Sequence, residues 1–312
     1  MKIVVTGALG HIGSALIRQL PLHFADAEIV MVDNMMTQRY ASLFDLPAVG
    51  RYQFIEADVR SVDLRPLIEG AHVVVHLAAI TDAAGSFERA AELEANNFAA
   101  TEKVAAACRE AGARLIHLSS TSVYGSQNAL VSEDCTLDEL KPQSPYATTK
   151  LKEEELVQSL AKSHGLKAIV FRFGTIFGAS VGMRYHTAVN KFCWQAVMRQ
   201  PLSIWNGAYE QKRPYLDLVD AVRAIAFVVK QDLFDGRVYN VLTLNATVRE
   251  IVECIRELVP DVQLSFVNNP IMNQLSYEVS CERFRDRGFT FAGDIRRGIG
   301  ETIALLAAAN RG

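Results

Sequence analysis

The sequence predicts an α/β fold in which a doubly wound parallel sheet is joined to a smaller C-terminal lobe. Strand-like and helix-like segments alternate through the first half of the 312 residues, and the strand-like runs are continuously apolar. Runs of this kind are typical of parallel strands that are buried on both faces. After Gly178 the alternation becomes less regular, which indicates a lobe made of discontinuous segments.

The individual elements follow from apolar runs and from helical spacing of apolar residues. In the first half, apolar runs predict strands at 2–5, 28–32, 53–56, 73–77, 114–118 and 168–173. Helices are expected after the glycines at 7–13, over the alanine-rich segment 88–111, and over 151–164. Beyond Gly178 the patterns predict helices at 189–198, 219–230, 248–258 and 295–308, an extended segment at 202–205, and a strand at 239–242 that returns to the sheet.

Composition excludes several classes of protein. The formal net charge of −3 gives no basic field for nucleic acid. No apolar run approaches the ~18 residues that span a bilayer, and the N-terminus shows no signal-peptide pattern. Five scattered cysteines without a C-x-x-C pair indicate reduced thiols in a cytoplasmic protein, and the seven histidines show no metal spacing. We therefore expect no metal, no membrane and no nucleic-acid partner.

A glycine turn follows the first strand. Thr6-Gly7-Ala8-Leu9-Gly10-His11-Ile12-Gly13 joins that strand to a helical pattern, which is the order that a Rossmann-type dinucleotide site needs. The spacing is G-x-x-G-x-x-G, and glycines at this spacing also occur in plain tight turns. If the site is real, Gly7, Gly10 and Gly13 let a pyrophosphate approach, and the N–H groups around His11 and Ile12 bind it.

Residues at the ends of the next strands complete the expected cofactor site. Asp33 lies twenty residues past Gly13, where a carboxylate accepts hydrogen bonds from both ribose hydroxyls and repels a 2′-phosphate. It therefore favours NAD over NADP, although a turn aspartate has the same appearance. Asp58 is placed to bind the adenine amine, or else to cap a turn. The expected cofactor contacts also include Asn34, Val59, Leu77, Ala78 and Ala79, and Thr81 is expected on the substrate side.

Tyr146 and Lys150 form the candidate catalytic pair. They are four residues apart, which places them on one face of a helix. A tyrosine that acts as a base near neutrality needs its pKa lowered by roughly three units, or ~4 kcal/mol. One cation at ~4 Å supplies about that much at an effective dielectric of ~20, so we expect Lys150 to lower the pKa of Tyr146. Ser120, at a strand end, is placed to hold the substrate oxygen.

Y-x-x-x-K is common on solvated helix faces, and the order of the surrounding motifs decides its interpretation here. That order resembles the extended short-chain dehydrogenase/reductase family, in its nucleotide-sugar epimerase and dehydratase branch. The resemblance spans nearly the whole chain and rests on Thr6 to Gly13, Ser119 to Gly125, Ser144 to Lys150, Arg172 to Gly178, Gln211 to Tyr215 with Asp220, and Tyr239 to Val241.

The resemblance implies a role for each matching residue. Ser120 would be the catalytic hydroxyl, Tyr146 the base, and Lys150 its partner and a ribose ligand. Asn97 matches a position near the nicotinamide. The substrate side would include Thr175, where some epimerases have asparagine, as well as Asn190 and Arg213, which match residues that bind the sugar-nucleotide diphosphate. Each of these polar residues could instead belong to an ordinary helix or surface.

The pattern of segments, together with the resemblance, sets the expected domain boundaries. Residues 1–178 would form the NAD-binding Rossmann domain, to which 213–245 return in part. Residues 179–212 and 246–312 would form the substrate-binding lobe. The alanine-rich helix before Gly112 and the helix after Tyr146 would pair with a second copy, so we expect a homodimer.

Departures from the family pattern favour one reaction. Dehydratase relatives carry an Asp-Glu pair directly after the catalytic hydroxyl, whereas this chain has Thr121 and Ser122. Without those carboxylates we expect an NAD-dependent epimerase that acts at C4 of a nucleotide sugar through a transient 4-keto sugar. A 4-keto reductase, a 4,6-dehydratase and a non-catalytic NAD-sensing regulator are the alternatives. The residues 272–274 replace an Arg-Asp region of many relatives, which suggests that a second phosphate-binding arginine is missing.

Overall fold

The computed structural model describes residues 1–81, 87–125, 130–268 and 276–310. In chain order its strands are β1 (Lys2–Thr6), β2 (Glu28–Asp33), β3 (Arg51–Glu56), β4 (Val73–His76), β5 (Arg114–Ser120), β6 (Leu130–Val131), β7 (Ala168–Phe173), β8 (Thr175–Phe177), β9 (Leu202–Trp205), β10 (Lys212–Asp217), β11 (Val238–Val241), β12 (Leu244–Thr247), β13 (Leu264–Val267) and β14 (Glu278–Val279). Its α-helices are α1 (His11–His23), α2 (Arg65–Ile68), α3 (Ala90–Ala111), α4 (Pro145–His164), α5 (Ala188–Val197), α6 (Leu218–Gln231), α7 (Val248–Leu258), α8 (Glu282–Arg285) and α9 (Ile295–Ala307).

Seven parallel strands form the central sheet, in the order β11-β7-β5-β4-β1-β2-β3. The chain moves outward from β1 through β2 to β3, then returns to β4 on the other side of β1 and continues outward. This reversal opens a crevice at the carboxyl ends of β1 and β4, where ligands of such sheets bind. The predicted α/β fold with a doubly wound parallel sheet is confirmed.

Two apolar layers enclose the sheet, because its strands bury side chains on both faces. On one face, Leu16 and Leu20 of α1 pack in the same cluster as Ile225 of α6. On the other face, Val104 of α3 and Val157 of α4 share a second cluster. The strand predicted at 239–242 is observed as β11, which pairs with β7 and closes this edge of the sheet.

The remaining segments form a smaller lobe with a core of its own. Strands β12, β10 and β8 form one small sheet, β13 pairs with β9, and helices α5, α7 and α9 pack around Phe177 and Tyr215. Helix α7 begins with a capping box in which Thr247 and Glu250 satisfy each other's backbone N–H groups. The predicted bounds of α7 agree with the observed ones.

The domain boundaries stay a prediction, and the packing of two segments bears on them. β10 lies in the small sheet between β8 and β12, whereas β11 joins the central sheet, so residues 213–245 return to it only in part. Residues 282–291, expected in the smaller lobe, pack on the Rossmann core. Phe284 and Phe289 stack on each other with centroids 4.7 Å apart, and both contact Phe227 of α6. Aromatic burial therefore returns this part of the chain to the first domain.

Helices α3 and α4 lie side by side, and an exposed ion pair between Glu94 and Lys152 connects them. The homodimer expected through these helices stays a prediction, as does the cytoplasmic location. Among the described residues, no helix combines the length and the apolar character that crossing a bilayer requires.

Candidate active site

A cleft of about 380 Å³ opens at the crevice between β1 and β4. Residues from turns far apart in the sequence line it, because parallel strands present their carboxyl ends at one edge. The predicted residues that line the cleft are Gly7, Gly10, His11, Ile12, Gly13, Asp33, Asn34, Asp58, Val59, Leu77, Ala78, Ala79, Thr81, Ser120, Tyr146, Lys150, Thr175 and Arg213. Two predicted residues, Asn97 and Asn190, do not line it.

The glycine turn is shaped to receive an anion. A Cβ on Gly7, which has a φ of +64°, would lie 2.6 Å from the Ala78 backbone nitrogen, and one on Gly13 would lie 2.4 Å from the Gly7 oxygen. Both glycines therefore allow close packing of the turn. Gly10 is the N-cap of α1, and no side chain caps this end. The first-turn N–H groups thus remain for a negatively charged group, so the turn fits the pyrophosphate of a dinucleotide.

Two further side chains flank this turn. His11 lies 2.7 Å from the Ser180 hydroxyl through its Nδ1, and burial together with the Arg39 charge lowers the pKa of His11 to about 3. The imidazole is therefore neutral at physiological pH. Arg39 donates from Nη1 to the Gly182 carbonyl at 2.7 Å, and it brings a positive charge into the cleft near Asp33. Sequence reasoning missed Arg39.

Asp33 ties the glycine turn to the end of β2. Its Oδ2 accepts the Leu9 N–H at 3.0 Å, and its Oδ1 accepts the Met35 N–H at 3.0 Å. Each carboxylate oxygen keeps further lone-pair capacity toward the cleft. The carboxylate of Asp58 accepts hydrogen bonds from Arg60, which hold the pKa of Asp58 at about 2. Arg60, which was not predicted as a site residue, also lines the cleft.

The serine-rich end of β5 orients one hydroxyl group. Ser120 Oγ accepts the backbone N–H of Ser122 at 3.2 Å and its hydroxyl at 2.9 Å. Because both acceptor positions of the Ser120 oxygen are occupied, its hydroxyl proton is free to donate to another group. Ser120 lines the cleft, so a group bound there can accept this proton. Thr121 between them turns away, since its hydroxyl donates to the Phe173 carbonyl. Ser120 is thus arranged as a donor to an oxygen in the cleft.

Tyr146 and Lys150 meet at the start of α4. Ser144 accepts the Ala147 N–H as N-cap and Pro145 occupies the first turn, so the helix begins earlier than predicted and includes Tyr146. Lys150 is almost completely buried, and its Nζ donates to Glu153 Oε2 at 2.8 Å.

Lys150 lowers the pKa of Tyr146, as expected, but it does not outweigh burial in the protein alone. Burial raises the pKa of Tyr146, Lys150 opposes this, and Glu153 adds to the rise, so the net direction is upward. Neither the loss of water around the phenol nor the carboxylate beside Lys150 is visible in the spacing of Tyr146 and Lys150. Lowering this pKa therefore requires a further positive charge in the cleft.

The side chains of Asn97 and Asn190 form hydrogen bonds with backbone groups and do not line the cleft. The amide of Asn97 accepts the N–H of Ile80 at 2.8 Å and donates to its carbonyl at 2.9 Å. Asn190 makes the same pair of contacts with Gly178, at 3.2 and 3.1 Å. Each amide therefore holds a loop at the rim of the cleft, and Asn96 lines the cleft in place of Asn97.

Two further cationic side chains, Arg213 and Arg184, line the cleft. Arg213 lies over the Trp205 ring at 5.8 Å, and its buried Nε and Nη2 have no hydrogen-bond partner in the described part of the chain. Such a guanidinium fits phosphate oxygens. Arg184, which was not predicted, donates to Thr81 and lines the same cleft. The segment 272–274 lies outside the described residues, among which no group of three or more metal-ligating side chains occurs.

Comparison with known proteins agrees with this geometry. A model of the NAD dependent epimerase/dehydratase family matches residues 3–241, well over half of the chain. The chain belongs to this family. It falls in the nucleotide-sugar epimerase and dehydratase branch of the extended short-chain dehydrogenases/reductases, as the sequence resemblance predicted, and NAD is the family's cofactor. The chain is therefore an enzyme of this NAD-dependent family.

Individual family members differ in reaction. The chain is 31% identical over 266 residues to the uncharacterized UDP-glucose epimerase YtcB of Bacillus subtilis, covering 83% of this chain and 82% of YtcB. A UDP-glucuronic acid 4-epimerase from Bacillus cereus, solved with UDP-glucuronic acid and NAD, superposes with a TM-score of 0.87 at 25% identity and covers 99% of this chain and 100% of that one. A trifunctional UDP-glucose 4,6-dehydratase/UDP-4-keto-6-deoxy-D-glucose 3,5-epimerase/UDP-4-keto-L-rhamnose-reductase of Arabidopsis thaliana is 28% identical over 315 residues, and this chain spans 46% of its length.

Proposed function

We propose that the protein is an NAD-dependent nucleotide-sugar epimerase that inverts C4 through a transient 4-keto sugar. The observation that carries this proposal is the lack of a carboxylate beside the catalytic hydroxyl. Among the described residues that line the cleft, the acidic ones are Asp33 and Asp58, and both lie at the ends of β2 and β3, where the adenosine is expected. Thr121 and Ser122 occupy the positions after Ser120.

The missing carboxylate separates epimerisation from dehydration. Eliminating water from a keto sugar requires a base for a carbon-bound proton and an acid for the departing hydroxyl, and paired carboxylates suit both tasks. Thr121 is buried and its hydroxyl donates a hydrogen bond to the Phe173 carbonyl, while the hydroxyl of Ser122 donates to Ser120 Oγ. Neither hydroxyl is ionised near neutrality, so this end of β5 supports proton exchange at one hydroxyl rather than elimination.

The residues of the chain divide the proposed reaction between them. Bound NAD supplies the hydride acceptor and, later, the hydride donor. Ser120 holds the sugar oxygen through its hydroxyl proton, and Tyr146 takes the proton from that oxygen and afterwards returns it. Lys150 stabilises the phenolate and binds a ribose hydroxyl. Next to Lys150, the buried phenol would also experience the positive charge of an oxidised nicotinamide, which would lower the pKa of Tyr146 further.

The diphosphate of the substrate is assigned to Arg213. Its guanidinium has two buried nitrogens without a hydrogen-bond partner among the described residues, and Arg184 and Thr175 line the same cleft. The printed names of YtcB and of the Bacillus cereus epimerase refer to UDP-sugars. We therefore propose a UDP-hexose or UDP-hexuronate as substrate.

A substrate panel tests the proposal. Purified enzyme with NAD is incubated with UDP-, dTDP- and GDP-sugars, including UDP-glucose and UDP-glucuronate, and the products are resolved by chromatography and NMR. We expect one C4 epimer with no net consumption of NADH, and we expect a Tyr146→Phe variant to form it about 10²–10⁴ times more slowly. An unsaturated or keto product would assign a dehydratase, whereas stoichiometric oxidation of NADH would assign a reductase. Tight NAD binding without turnover of any sugar would assign the regulator.

A further inference from the structure

A buried polar cluster lies next to the catalytic pair. It consists of Glu153 on the third turn of α4, His117 on β5 and His76 on β4, and Lys150 contacts Glu153. His76 and Lys150 also line the cleft. The side chains of Glu153 and His117 are completely buried, and Lys150 is 6% exposed. Charged and polar groups in such a place carry a large desolvation cost unless they are paired.

Glu153 is the counter-ion of Lys150. The spacing of three residues places both on one face of α4, and the Nζ–Oε2 distance is 2.8 Å. The next carboxylate, Glu154, is occupied elsewhere, since it accepts three hydrogen bonds from Arg172 and one from Ser119. The described residues therefore give Lys150 one carboxylate at contact distance.

The histidines do not compete for this carboxylate as cations. His117 Nε2 lies 3.3 Å from Glu153 Oε2, yet burial, Lys150 and His76 hold the pKa of His117 well below its usual value. Burial also lowers the pKa of His76, to about 3, and its Nδ1 lies 2.7 Å from the Thr6 hydroxyl. Both rings are neutral in the working range, so Lys150 is the cation that balances Glu153.

The charge state of Lys150 depends on its contact with Glu153. Burial lowers the pKa of Lys150, but Glu153 and Tyr146, with a smaller contribution from Glu154, outweigh it, and the net direction of the Lys150 pKa is upward. The charge of Arg184 lowers the pKa of Tyr146, but a cation cannot take the place of the Glu153 carboxylate beside Lys150. Without Glu153, a lysine in this position is subject mainly to burial, which lowers lysine pKa values by up to several units.

We propose that Glu153 is a positioning residue that keeps Lys150 charged, and its ammonium fixed in place, over the whole pH range in which Tyr146 exchanges protons. The predicted effect on kcat/KM rests on the proposed function. The predicted effect on NAD affinity does not depend on epimerisation, because the ammonium of Lys150 is also proposed as a ribose ligand.

The sign of the pH effect follows from the direction of the change. With Glu153 present, Lys150 stays charged up to its raised pKa, so NAD affinity and kcat/KM have no alkaline decline from Lys150 between about pH 7 and pH 10. In Glu153→Gln the charge is lost as the pH rises through a lowered pKa. We expect an alkaline decline in both quantities whose midpoint lies about two units or more below that of the wild type.

The experiment measures the NAD dissociation constant by calorimetry, and kcat/KM on the active sugar, as functions of pH. Glu153→Asp keeps the charge and is expected to remove most of the shift. Glu155→Gln is the control, because it makes the same chemical change on α4 at a side chain that is exposed. We expect its pH profiles to coincide with those of the wild type. If Glu153→Gln does not fold, Glu153→Ala removes the same charge and takes its place.

The outcomes separate this inference from the proposed function. An alkaline decline in NAD affinity for E153Q alone supports the role of Glu153 even if no sugar is epimerised. Profiles of NAD affinity and turnover that coincide for E153Q and the wild type, in folded protein, overturn the inference even if the enzyme is an epimerase. A loss of thermal stability in E153Q without any change in either pH profile would also overturn it, since that is what a purely structural ion pair would give.

Discussion

The orientation of Ser120 by Ser122 can be tested with three alanine variants. Ser122→Ala removes the hydroxyl that donates to Ser120 Oγ at 2.9 Å and keeps the backbone N–H that donates at 3.2 Å. Ser120 then has one restraint instead of two, and its proton points into the cleft for a smaller fraction of the time. Since one neutral hydrogen bond contributes about 0.5–1.5 kcal/mol, we expect kcat/KM to fall by roughly 2- to 13-fold.

Ser120→Ala removes the donor itself, so its loss of kcat/KM is the largest loss expected from disturbing this hydrogen bond. Loss of one donor to a reacting oxygen costs about 10²–10³ in rate. Thr121→Ala is the matched control, because its hydroxyl donates to the Phe173 carbonyl at 3.3 Å and lies outside the cleft. It is expected to change stability and to leave kcat/KM unchanged.

The assay is the initial rate of sugar epimerisation, with NAD affinity and thermal unfolding measured on each variant. A Ser122→Ala variant as slow as Ser120→Ala would refute the reasoning, since the hydroxyl of Ser122 would then act directly on the substrate. A Ser122→Ala variant as fast as Thr121→Ala would also refute the reasoning, since the hydroxyl of Ser122 would then have no part in orienting Ser120.

Four further predictions follow from single contacts. Tyr146→Phe should lower kcat by about 10²–10⁴ while calorimetry shows unchanged NAD affinity; retained turnover would remove Tyr146 as the base. Asp33→Asn should raise the affinity for NADP by about tenfold in a binding titration, because it removes a charge that repels the 2′-phosphate. Gly7→Ala, at a φ of +64° and with a Cβ 2.6 Å from backbone, should cost about 2–5 kcal/mol in denaturant unfolding. Glu154→Gln should cost about 3–5 kcal/mol in the same assay, because Arg172 would remain buried without its counter-ion; a cost below ~1 kcal/mol would contradict this.

Local patterns were sufficient for most of the fold. Continuous apolar runs identified the strands of the central sheet, because burial on both faces leaves no polar alternation. The period of helix α7 and its capping residues are encoded within a dozen positions, so its bounds could be read directly. The glycine turn is equally local, since the positive φ of Gly7 and the uncapped start of α1 require particular residues at particular spacings.

The same reasoning was weaker for polar residues on helices. Asn96 and Asn97 are adjacent in sequence, yet Asn96 lines the cleft and Asn97 binds the backbone of Ile80. Adjacent residues of a helix point about 100° apart, and the rotation of α3 about its axis is decided by how it packs on the sheet. No local pattern contains that rotation.

Charge balance in the site also needed the assembled structure. The motif itself identifies Tyr146 and Lys150, and Glu153 is visible three residues later as one of three successive glutamates. Which of them is buried, and which cation each one meets, depends on β5 and β7 lying against α4.

The order of residues along the chain therefore specifies the strands, the glycine turn and the reactive side chains, because each depends on neighbours within one or two turns. The pKa of Tyr146 and the return of Phe284 to the first domain depend on groups brought together from distant segments. Desolvation and pairing act through space, and only the packed molecule determines them.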